Sequence, residues 1–279
     1  MRRQVVSLLL VIFVFAFCIS VGTEQVSKKS ELEWFQEEAV ISFGYREQNI
    51  REELLPLLRA VDGPGKYIAL YLLESRYGYE KWPHGWSEET FGVLENKWKR
   101  QEAWDAYLMT TESIWNDVKY FPVPEMKGNA KMTVSYVNTW MEERTYGGER
   151  GHEGTDLMAS RNERGIYPVV SMTDGVVSKK GWLNKGGYRI GIESPDGAYF
   201  YYAHLESYAA LSEGDEVMAG DILGYMGDSG YGEEGTIGQF PVHLHLGIYI
   251  YPEGKEVSVN PYWVLRYIEN SKVKCYTEI

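Results

Sequence analysis

Cysteine is nearly absent: the 279-residue chain has two, and Cys18 lies in the apolar stretch near its start. If that stretch is removed, Cys275 is left alone, no intramolecular disulfide can form, and the fold must stand on its core. With 44% hydrophobic residues at this length, the chain can bury one large core or two smaller ones. Positive charge is also short, with 28 basic residues against 40 acidic ones and a net charge of −12. That balance excludes nucleic acid as a partner, because phosphates need a basic face. It equally argues against simple electrostatic adhesion to an anionic surface. No internal repeat or low-complexity segment stands out. Histidine is scarce too, at five residues, and four of them (His152, His204, His243 and His245) fall in the second half in strand or turn contexts.

What is present begins with Met1-Arg2-Arg3 and an apolar run over residues 5–21, a positively charged start followed by a hydrophobic core. That is the pattern of a secretory signal, and Ser20 and Gly22 are small at the two positions a signal peptidase reads. Residues 1–22 are therefore expected to be a signal peptide or, since about 20 apolar residues span a bilayer, an uncleaved membrane anchor. The rest would be exported, to the cell envelope or beyond. Cys18 follows Phe17, where a lipoprotein signal wants a small residue, which argues against lipidation.

Residues 23–119 read as a helical region. Asp62-Gly63-Pro64-Gly65 breaks two helices, and a longer helix is predicted from Ser87 as N-cap past Trp98, Trp104, Tyr107, Leu108 and Trp115. The aromatic stripe reads first as core packing, with a sugar-binding or inhibitory surface as the alternative. Phe121-Pro122-Val123-Pro124 ends the helical pattern. Glycine then becomes frequent, and short strands over 188–193, 198–205 and 222–226 are separated by turns such as Ser194-Pro195-Asp196-Gly197. The fold class is thus α+β: a helical N-terminal region followed by a mainly antiparallel β domain over 120–270, with 271–279 as a tail. Strict alternation in the 198–205 strand places Phe200, Tyr202 and His204 on one face, lining a groove, and Tyr199, Tyr201 and Ala203 on the other.

In Val242-His243-Leu244-His245-Leu246 the same alternation projects both imidazoles one way and both leucines toward the core. His152 and Asp156 are four apart in Gly151-His152-Glu153-Gly154-Thr155-Asp156, where the glycines favour a shaped loop able to fold both onto one ion. A catalytic zinc site takes three protein ligands and leaves a fourth position open. His152, Asp156 and one of His243 or His245 supply that count. Tyr202-Ala203-His204-Leu205 adds a further histidine at a strand end, and His84 is read as an ordinary surface or hydrogen-bonded residue.

The order HxxxD, YAHL, HLH resembles the lysostaphin and LytM type of zinc endopeptidase, which cuts peptidoglycan. The resemblance covers roughly residues 121–268. It includes the strand pair from Tyr167-Pro168-Val169-Val170 to Asp174-Gly175-Val176-Val177, the turn Gly214-Asp215-Glu216-Val217 through Gly220-Asp221-Ile222-Leu223-Gly224, and the closing Asn260-Pro261-Tyr262. It implies a metallopeptidase domain of the duplicated hybrid motif, barrel-sandwich-like, with one Zn2+ per chain held by His152, Asp156 and His245. His204 and His243 would be the catalytic pair beside the metal. The implied partner is peptidoglycan peptide, and the helical region is a candidate dock for an envelope regulatory protein, a pro-region or a spacer. One departure is the loop over residues 230–239, longer than the family's and carrying Glu233 and Glu234, read as a groove wall with a solvated tip. Two other functions compete: a catalytically inactive relative that binds peptidoglycan or activates another hydrolase, and a biotinyl- or lipoyl-type carrier. The first would have lost ligands, and none is missing. The second needs a lysine at a hairpin tip, and none lies between Gly186 and Lys255.

Overall fold

The computed structural model describes residue 13 and residues 35–82, 84–127, 132–145 and 148–276. Apart from residue 13, the predicted signal or anchor lies outside them, and no helix among the described residues is long and apolar enough to cross a membrane.

The helical part contains α1 (Phe43–Arg46), α2 (Leu55–Leu58), α3 (Pro64–Glu74), α4 (Glu88–Trp98) and α5 (Trp104–Trp115). Gly63 is left-handed at φ +63° and Pro64 opens α3, so the predicted break is where the chain turns. Ser87 caps α4 by accepting from Thr90 N–H. The helix predicted to continue from there is instead two, because the chain leaves helical hydrogen bonding between Trp98 and Trp104. The tryptophans remain core residues across that break: Trp98, Trp104 and Trp115 are all buried.

The second part runs β1 (Glu125–Lys127), β2 (Val134–Ser135), β3 (Glu143–Arg144), β4 (Arg150–Gly151), β5 (Thr155–Ala159), β6 (Pro168–Val170), β7 (Gly175–Leu183), β8 (Gly187–Glu193), β9 (Tyr199–Tyr208), β10 (Glu216–Val217), β11 (Ile222–Met226), β12 (His243–Ile250), β13 (Val257–Val259), α6 (Tyr262–Ile268) and β14 (Lys274–Tyr276). Ten strands form one antiparallel sheet along β10-β7-β8-β9-β12-β5-β2, with β11 joining β9 to β6 and β13 on β12. The α+β class read from the sequence is what the chain adopts. Within the segment read as a tail, β14 pairs in parallel with β1, Met126 opposite Cys275.

Helices and sheet share one contiguous hydrophobic core. Trp115 sits at their junction, fully buried. Its indole N–H donates to Gln48 Oε1 at 2.7 Å, and its ring meets Tyr267 of α6 edge-on at 5.9 Å. Trp115→Ala is expected to cost about 3–5 kcal/mol and to leave the buried Gln48 amide short of a partner. In urea, helical and sheet signals should be lost in one transition shifted to lower denaturant. The helical part also reaches toward the site. Arg46 donates to Ser258 O and Oγ at 2.8 and 2.9 Å and lies 5.3 Å over the Trp140 ring, which also packs on Phe43.

Candidate metal and catalytic site

β12 lies between β5 and β9, with His245 opposite Asp156 on one side and Ala203 on the other. Leu244 and Leu246 are fully buried, and His243 and His245 both line a groove of about 900 Å3, as alternation requires. Asp156 is on strand β5 rather than in a loop, so only His152 is delivered by the glycine-rich connection after β4. Gly154 must be glycine: a Cβ there would lie 2.5 Å from His245 Cε1 and 2.6 Å from Leu246 O.

His152 Nε2, Asp156 Oδ1 and His245 Nδ1 form a triangle with sides of 3.0, 3.0 and 3.1 Å. The edge of a tetrahedron with metal–ligand bonds near 2.0–2.1 Å is about 3.3 Å, so the three atoms already sit close to one face of such a site. They are the one three-residue donor group able to hold a metal ion among the described residues. Two imidazoles and a carboxylate are a donor set that suits zinc.

Electrostatics fit the same arrangement. Burial opposes ionisation of Asp156, but hydrogen bonds from His152 and His245 and the neighbouring imidazoles outweigh it and hold the carboxyl well below the usual range. Burial pushes His245 down despite Asp156. It pushes His204 well down, aided by His243 and His245, so His204 is neutral at physiological pH.

His204 and His243 lie beside the triangle with ring centroids 4.7 Å apart. His204 Nδ1 donates to Ser229 O at 2.7 Å, and His243 Nδ1 donates to Pro241 O at 2.8 Å. Both Nε2 lone pairs are therefore free for the groove. His243 Nε2 is 3.8 Å from Asp156 Oδ1.

The face assignment in β9 needs correction. Phe200 and Tyr202 are fully buried, and Tyr199 and Tyr201 line the groove with His204. The cause is a bulge. Tyr188 pairs with Leu205 but Ile190 with Tyr202, so β9 carries one extra residue there, and His204 takes φ +61°. The bulge turns His204 onto the face of Tyr199 and Tyr201. The loop over 230–239 does form a wall: Tyr231 and Gln239 line the groove, as does Phe240 just after the loop, and the rings of Tyr231 and Phe240 lie against His204 at 6.1 and 4.6 Å. Glu233 and Glu234 are exposed and outside it. His84, by contrast, pairs with Glu74 at 2.9 Å in the helical part, away from this site.

Two orienting residues were not foreseen. Thr139 places its Oγ1 3.0 Å and its carbonyl 3.2 Å from His152 Nδ1, the contact that directs Nε2 inward. Arg144 donates to Asp156 Oδ2 at 2.9 Å and lies 3.0 Å from His152 Nδ1, leaving Oδ1 to the triangle. No signal in the sequence marks them: only the β3–β4 pairing, Glu143 with Gly151 and Arg144 with Arg150, brings this stretch back beside His152.

Residues 29–117 match the LytM N-terminal domain and residues 150–261 match peptidase family M23. A crystal structure of a candidate glycyl-glycine endopeptidase lytM from Ruminococcus gnavus is 55% identical, covering 85% of this chain and 94% of that one with a TM-score of 0.81. The L-Ala–D-Glu endopeptidase of Bacillus subtilis is 43% identical over 147 residues, 52% of this chain and 42% of its own length. The glycyl-glycine endopeptidase ALE-1 of Staphylococcus capitis is 39% identical over 66 residues, 23% of this chain and 18% of its own. The chain thus spans less than half the length of these curated relatives. Near-complete coverage of the Ruminococcus gnavus structure, both family matches and the converging His-Asp-His group lead to one assignment: the chain belongs to the LytM and lysostaphin type of peptidase family M23.

Proposed function

We propose that this chain is an exported zinc endopeptidase that hydrolyses peptide bonds of peptidoglycan, with His152, Asp156 and His245 as metal ligands and His204 and His243 as the catalytic pair. The observation that carries the reading is the three-donor triangle with two Nε2 atoms presented beside it. Relatives named as endopeptidases for L-Ala–D-Glu and for glycyl-glycine bonds support the substrate class, and the start of the sequence supports export.

Zinc, when bound, supplies a Lewis acid that polarises the scissile carbonyl and acidifies an attacking water. The chain's residues do the rest. A neutral imidazole, held by its Nδ1–H on a backbone carbonyl, accepts the proton that water loses on attacking the carbonyl carbon. As the C–N bond breaks, the leaving amine takes a proton from an imidazolium of the same pair, giving one new carboxylate and one new amine. Tyr201, its ring 5.9 Å from that of His245, and Phe240, 5.0 Å from His243, close the reacting centre on two sides and limit bulk water.

Mass spectrometry of soluble products released from purified peptidoglycan tests this, with His152→Ala alongside. New peptide termini that vanish in the variant are expected. A folded, zinc-loaded protein that releases nothing would overturn the reading. Arg144→Met frees Asp156 Oδ2 and removes the donor beside His152. It is expected to cost about 10–100-fold in zinc affinity or activity, read by metal competition titration and by product release.

A further inference from the structure

The chain has 40 acidic and 28 basic residues, yet the groove lining holds more cations than carboxylates. Three of these cations, Lys179, Lys185 and Arg189, come from β7, β8 and their connection. None of the three is in an ion pair among the described residues, and Arg189 Nη1 is buried without a hydrogen-bond partner. A guanidinium nitrogen withdrawn from water and left unpaired costs stability, and an anion reaching this groove wall would complete it.

Its surroundings shape the ligand. Arg189 is on the same face of β8 as Gly191, two residues on, where a Cβ would meet Tyr199 OH at 2.0 Å, so the Tyr199 ring lies flat on the strand beside it. Tyr201, 6.3 Å from Tyr199 between ring centroids, leads to His245 at 5.9 Å. Three to four residues of extended peptide, at about 3.3–3.6 Å each, span such a path. We infer that Arg189, with Lys179 and Lys185 on the same groove lining, is a subsite for a free carboxylate carried by the substrate within about three or four residues of the scissile bond. This rests on the proposed endopeptidase reading and deepens it: the preferred substrate is an acidic stem peptide with an unblocked carboxylate, such as a D-Glu residue, rather than a polyglycine bridge, which has no carboxylate to offer. Arg189 presents a planar fork matched to a carboxylate.

The test uses the zinc-loaded full chain and three synthetic peptides: a stem peptide with D-Glu as the free acid, the same peptide amidated at that carboxylate, and pentaglycine. Hydrolysis is followed by mass spectrometry, and binding to a zinc-loaded His204→Ala chain by calorimetry. A charged hydrogen bond gained or lost is worth about ten- to a hundredfold, so kcat/KM for the free acid should exceed that for the amide by that factor. The ratio should collapse toward one in Arg189→Gln and be partly kept in Arg189→Lys, with thermal melting confirming that both are folded. Hydrolysis with no preference, or a preference that survives Arg189→Gln, overturns the subsite and leaves the endopeptidase reading standing. Selective binding of the free acid without hydrolysis supports the subsite and overturns the enzymatic reading. Neither binding nor hydrolysis overturns both.

Discussion

Asp156→Ala is expected to produce the largest loss of any single substitution: zinc no longer co-purifies, and no new peptide termini are released from peptidoglycan. Oδ1 stands 3.0 Å from both His152 Nε2 and His245 Nδ1 and is the only anionic corner of the triangle, so its removal leaves two neutral imidazoles to hold a divalent cation. The same change strips Arg144 of its 2.9 Å partner and leaves a partly buried guanidinium unpaired. The fall in zinc affinity should therefore exceed the roughly 10–100-fold typical when only an orienting partner is lost. Asp156→Asn separates the two causes. It keeps an oxygen in place and loses the charge, so a weak zinc site that recovers at high zinc would identify charge as the main contribution. Metal content by mass spectrometry and a competition titration give both readings. Full zinc occupancy in Asp156→Ala would remove this carboxylate from the ligand set.

The parts of the site that rest on regular backbone could be read from the sequence, and the parts that rest on irregular backbone could not. Alternation in an unbroken strand put His243 and His245 on one face and Leu244 and Leu246 in the core, and β12 keeps that order because it is paired on both sides. The same rule failed in β9, where one inserted residue at a left-handed His204 moves the face. Nothing in Tyr-Ala-His-Leu distinguishes a bulge from a plain strand, since the cause lies in the partner: Ser229 O, which accepts from His204 Nδ1, arrives from 25 residues later. Thr139 and Arg144 were missed for a related reason. Their function exists only once β3 pairs with β4 and Trp140 is held between Phe43 and Arg46.

That dependence ties the helical region to the chemistry. Trp140 adjoins Thr139, whose carbonyl and hydroxyl orient His152. Asn138, on the other side, accepts from Asn260 Nδ2 at 3.1 Å, while Asn260 N–H donates to Arg46 O at 2.7 Å. The aromatic stripe of the helices is core, as the periodicity indicated, and one consequence of that core is a fixed platform under the strap that carries Thr139 and Arg144.

Separate replacement of His204 and His243 by Ala is expected to cut kcat by about 10²–10⁴-fold each while zinc content stays at one per chain. Neither ring belongs to the triangle, and each is tied by its Nδ1–H to a backbone carbonyl, Ser229 O or Pro241 O, so removing it leaves the three donors in place. Their rings are 4.7 Å apart, close enough to act on one substrate. The double variant should therefore lose far less than the product of the two single losses, because either removal already breaks the proton path. Burst or single-turnover kinetics on a defined peptide, beside metal analysis of every variant, would check both statements. If one variant retained near-normal kcat with zinc bound, that histidine would be a wall of the groove rather than a proton carrier. If the two losses multiplied fully, the rings would act in independent steps, and the shared transfer argued from their spacing would be wrong.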